Sequence, residues 1–92
     1  MTQGNDARRA SIEHFKRKFG RLTKIEKLLE LVRYERARDG QLDPGKLPKE
    51  FFEHGAEALR EMLLEEYYKD EADLNRILAV ARKRDSKPFV SP

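Results

Sequence analysis

Seven cations, Arg8, Arg9, Lys16, Arg17, Lys18, Arg21 and Lys24, crowd the start of the chain around Phe15 and Phe19. Such density is the raw material of a phosphate-binding surface, because each cation that meets a phosphate releases counterions. That chemistry requires the charges to converge on one track. Successive helical positions turn by about 100°, so Lys16, Arg17 and Lys18 would form a collar around a Phe15/Phe19 seam. A second cationic group, Arg82, Lys83 and Arg84, lies near the other end.

Glu53, Glu57, Glu61 and Glu65 recur every four residues, with Glu50 beginning the line. Like charges at that spacing destabilise a helix by roughly 0.2–0.5 kcal/mol per pair. A cationic surface is therefore expected beside them: the protein's own basic helix, that of a second copy, or a basic partner.

Little in the sequence suggests catalysis. His54 and Glu57 stand three apart, but carboxylate-bridged di-metal bundles place the glutamate first and use two copies of the motif. No metal and no cofactor are expected. Ser11, Ser86 and Ser91 lack a nearby His/Asp arrangement, and no glycine-rich loop leads into Lys-Ser/Thr. A chain this short does not readily wall off a deep pocket, so no small-molecule substrate and no enzyme are expected. Arg8-Arg9-Ala10-Ser11-Ile12 resembles a basophilic-kinase acceptor site, a pattern that arises by chance in arginine-rich chains. The adjacent aromatics Phe51-Phe52 and Tyr67-Tyr68 cannot both face one narrow core. One ring of each pair is expected outside, as an anchor for a partner.

The elements that hold these groups are helical throughout, because no apolar spacing of period two occurs. Ile12, Phe15, Phe19 and Leu22 place a helix near 6–19, stopped by Gly20 as a left-handed C-terminal residue. Thr23 and Glu26 have capping-box spacing and open a helix near 24–39. Its first half, with Ile25, Leu28, Leu29, Leu31 and Val32, is expected to be buried, and Gly40 ends it. Asp43-Pro44-Gly45-Lys46 reads as a turn, pinned to the core by Leu42 and Leu47. Pro48 suits the first position of a helix near 48–69, in which Gly55, Ala56 and Ala58 allow close approach of a neighbour. Asp70 and Asp73 can cap a helix near 71–84, unless the third helix runs straight through. Residues 1–5 are expected to be disordered, 6–85 to form one helical domain, and 86–92 to be a tail whose Phe89 and Val90 can dock.

Composition sets the bounds. The 92 residues are 40% charged with net charge +3, and Leu, Ile, Val and Phe number 22. That apolar share lies just above the roughly 20% below which disorder is the default, so a thin core and some self-association are expected. The charge is blocked: +6 over residues 1–38, −7 over 39–75 and +4 over 76–92. Cysteine is absent, which excludes disulfide and thiolate chemistry. The longest apolar run, Ile77–Ala81, is far too short to span a membrane, and the first residues lack the apolar core expected of a secretory signal. A cytoplasmic location is expected.

The fold expected is all-α: a small bundle of three or four helices, or an elongated helical homodimer. The function expected is a non-enzymatic interaction module, its partner another protein or a second copy. Phe51, Tyr67, Tyr68, Glu53, Glu57 and Glu61 are the candidate contact residues. The alternative is a nucleic-acid-binding accessory protein using Arg8, Arg9, Lys16, Arg17, Lys18 and Arg21, with Arg82, Lys83 and Arg84. A helix-turn-helix is disfavoured, because a recognition helix would not begin on Ile25, Leu28 and Leu29.

Overall fold

The computed structural model describes residues 3–40 and 47–85. The first break in the chain is set by Thr23. Its hydroxyl accepts from the Glu26 backbone N–H at 3.2 Å, while the Glu26 carboxylate accepts from the Thr23 N–H at 2.9 Å. This reciprocal cap satisfies donors that a helix start otherwise leaves open. It separates α1 (Gln3–Phe19) from α2 (Lys24–Arg38).

The second break lies between α3 (Lys49–Glu66) and α4 (Glu71–Asp85), which are two helices and not one. The Asp70 carboxylate accepts from the Asp73 N–H at 2.9 Å, and the Asp73 carboxylate accepts from the Lys69 N–H at 3.3 Å. The two aspartates thus restart the chain at α4 as Thr23 and Glu26 restart it at α2.

The molecule is an all-α bundle organised on α3, against which both α1 and α2 pack. α4 lies mainly on α2 and touches α3 less. One apolar core joins Ile12, Phe15 and Phe19 to Leu28, Leu31 and Val32, then to Leu59 and Leu63 of α3 and Leu74 and Leu78 of α4. α2 and α3 run antiparallel: Lys27 pairs with Glu66 at 3.6 Å at one end, and Tyr34 covers Gly55 at the other. A Cβ on Gly55 would stand 2.3 Å from the Tyr34 ring. The glycine costs α3 about 1 kcal/mol of helix propensity, and the close approach of α2 is what that cost permits.

Several expectations are corrected. α1 begins at Gln3, three residues ahead of the start expected from the sequence. Asp6 in its first turn complements the positive end of the helix dipole. Gly20 follows α1 without entering the left-handed region, and among the described residues Gly40, at φ 82°, is the glycine that does. Pro48 is the extended cap of α3, not its first helical residue. Leu47 is exposed and is not among the residues packed against the core. Ile25 is 62% exposed; it sits in the first turn of α2, where α4 covers that helix incompletely. The Leu42 contact, the Asp43–Lys46 turn and the 86–92 tail lie outside the described residues. No helix among the described residues is long and apolar enough to cross a membrane.

Candidate functional site

The charged groups singled out in the sequence meet along the seam between α1 and α3. Arg8 pairs with Glu57, and Arg9 reaches Glu61 at 2.7 Å and Glu13 at 2.8 Å. Lys16 sits 2.8 Å from Glu61 and 3.4 Å from Glu65. The hydrogen bond from Arg9, aided by Lys16, lowers the Glu61 carboxyl to about 2. Glu13 is lowered by the same arginine, and the Glu61 carboxylate raises Lys16. Glu57, Glu61 and Glu65 of the acidic ridge are therefore answered within the chain, and three of the N-terminal cations proposed for nucleic acid are occupied by carboxylates.

The remaining cations scatter. Arg17 and Arg21 are exposed and form no ion pair with the described residues. Lys18 lies over Phe15 and Phe51 at 5.8 and 5.9 Å. Arg82 pairs with Glu35 at 2.9 Å, and Lys83 is exposed. Arg84 lies at the edge of a groove between α2 and α4.

The candidate contact residues do not form one surface. Phe51 belongs to a cluster with Phe15, Tyr34 and Phe52, its ring centroid 5.0 Å from that of Phe15. Tyr67 and Tyr68 pair with each other at 6.4 Å, just beyond the other end of α3. Sixteen steps along the chain, through the helical residues 52–66, separate Phe51 from Tyr67, or roughly 24 Å at 1.5 Å per residue. Of the tyrosines, Tyr67 is the more exposed, and Lys24 stands 5.4 Å from its ring. Glu53 is exposed without an ion pair to the described residues, while Glu57 and Glu61 are engaged by α1. Among the described residues no three His, Asp or Glu side chains converge as a metal set.

Two buried charges escaped the sequence reading. Glu35, 7% exposed, is held by Arg60 at 3.2 Å and Arg82 at 2.9 Å, and Arg60 continues to Glu71 at 2.7 Å and Asn75 at 2.8 Å. This clamp joins α2, α3 and α4. Lys27, also buried, donates to the Leu22 carbonyl at 2.8 Å, so its charge ties the α1–α2 connection to Glu66 of α3. Spacing carried a signal for both: Lys27 precedes Leu31 by four and Glu35 follows it by four, so both share its inward face.

The other feature missed is the groove itself. Ile25, Leu28 and Leu29 of α2 and Ile77, Val80 and Ala81 of α4 line an open trough of about 260 Å³. Ile25 and Val80 (53% exposed) are the two most exposed large apolar residues among those described. Arg84 is the one charged residue on its wall.

Compared with protein-family models, curated proteins and solved structures, the chain matches none.

Proposed function

We propose that this chain is a non-enzymatic protein-interaction module whose docking surface is the α2/α4 groove. The observation that carries this reading is the exposure of Ile25 and Val80 across one apolar trough. Scattered apolar residues on a surface need no explanation, whereas contiguous ones lining a concave strip mark contact sites. The trough is smaller than the roughly 300–1,000 Å³ of small-molecule pockets and open along its length. Its dimensions suit side chains presented by another polypeptide. The aromatic surface expected from the sequence gives way here to the groove, because Phe51 is committed to the bundle and lies far from Tyr67.

A photo-crosslinking residue placed at Val80 of the full chain, in cells of its source, tests the reading. A discrete protein adduct from Val80, and none from a control at exposed Lys69, is the expected result. Equal labelling from both positions, or adducts only to nucleic acid, would overturn it.

One observation supports nucleic acid as the second reading: Arg17, in the last turn of α1, and Arg21, just past its end, are exposed and unpaired with the described residues. It expects an affinity for duplex or single strand that falls steeply with salt and flattens when both are changed to glutamine. Absence of binding at low salt ends it.

A further inference from the structure

We infer that the occupant of the α2/α4 groove is an amphipathic helix of another protein, with an apolar stripe flanked by acidic residues. This rests on the reading of the groove as a docking surface and adds the partner's chemistry. The groove walls are aliphatic from both helices, and no carboxylate lines them. A helix laid in such a trough is recognised through apolar anchors at i, i+3, i+4 and i+7.

Charge then selects among occupants. Arg84 stands exposed at the groove edge without an ion pair to the described residues, unlike Arg82, which the buried Glu35 holds. An acidic residue on the incoming helix supplies the missing partner, and a basic one meets repulsion. A second copy is a poorer fit. Groove-to-groove docking about a two-fold axis makes the same patch face itself and brings two Arg84 side chains into one interface.

The test uses the full chain with its isoleucine, leucine and valine methyls labelled for NMR. The probes are two designed helical peptides sharing one leucine stripe, flanked by glutamate in one and by lysine in the other. The glutamate peptide is expected to shift the methyls of Ile25, Leu29, Ile77 and Val80 and to bind more tightly than the lysine peptide. Arg84→Glu, an exposed change that spares the core, is expected to weaken the glutamate peptide at least about threefold and to favour the lysine peptide. If both peptides bind the groove equally and Arg84→Glu changes neither, the acidic partner is wrong while the docking surface stands. If neither peptide moves those methyls, both readings fail. A dimer in sedimentation that Val80→Glu dissolves would overturn the partner assignment in favour of a second copy.

Discussion

The two sides of this bundle solve the same problem in opposite ways. Along the α1–α3 seam, charges that looked adhesive in the sequence are consumed internally: Arg8, Arg9 and Lys16 meet Glu57, Glu61 and Glu65. Along the α2–α4 groove, apolar residues stand open to solvent: Ile25, expected in the buried half of its helix, and Val80. A charged surface is thus a poor marker of where a small helical protein binds. Charges can find partners at home, whereas the apolar side chains left uncovered here have no cover among the described residues.

The contrast is broken most severely from the seam side. Phe15→Ala removes a buried ring that touches Phe19, Tyr34 and Phe51. It is expected to cost about 3–5 kcal/mol, enough to unfold much of a protein this small, as measured by chemical denaturation with circular dichroism. Ile25→Ala on the groove side should change the same measurement by less than about 0.5 kcal/mol. Similar losses from the two changes would mean that the groove is covered in solution.

Gly55→Ala is the next largest. Alanine favours helix by about 1 kcal/mol in isolation, yet its Cβ would meet the Tyr34 ring, which is wedged among Phe15, Phe19, Phe51 and Phe52. A net destabilisation of about 1–3 kcal/mol is expected, read from the denaturation midpoint. A stabilised variant would show that α2 and α3 are less tightly apposed.

Acid distinguishes the two sides more gently. Glu61 has its folded-state value held near 2 against an ordinary 4.5. Its pairing therefore stabilises the fold fully above 4.5, and the contribution fades as pH falls from 4.5 towards about 2, where the unfolded chain binds the proton more readily. Thermal melts should decline through that window, and Glu61→Gln should flatten the decline. The smallest effect belongs to Val80→Ser, which should leave the melting temperature nearly unchanged and reduce binding of a dye that reports exposed apolar surface.

Much of the fold was legible because its punctuation is local. Thr23 and Glu26, and likewise Asp70 and Asp73, cap helices through hydrogen bonds to backbone three or four residues away, a reach that sequence spacing reports directly. The charge pairing of α1 with α3 was one of three answers that the repulsion along the glutamate line left open, beside a second copy and a basic partner. The groove was not legible. Periodicity tells which residues share a face, and Ile25 shares one with Leu28 and Val32; it does not tell how far a neighbouring helix extends over that face. The division of Phe51 from Tyr67 was missed for a related reason: two residues can lie on one helix and still serve opposite ends of a bundle. Gly20 misled because a glycine after a helix permits the left-handed conformation without requiring it.

The attachment of α4 has a consequence for motion. Because α4 leans chiefly on α2, with the Glu35 clamp as its main polar fastening, it is the helix whose release disrupts least of the core. Its amides should exchange with solvent ahead of those of α2 and α3, as a cooperative unit of low local stability. Half the groove leaves with it each time it opens, so a bound helix would slow that exchange as surely as it would fill the trough.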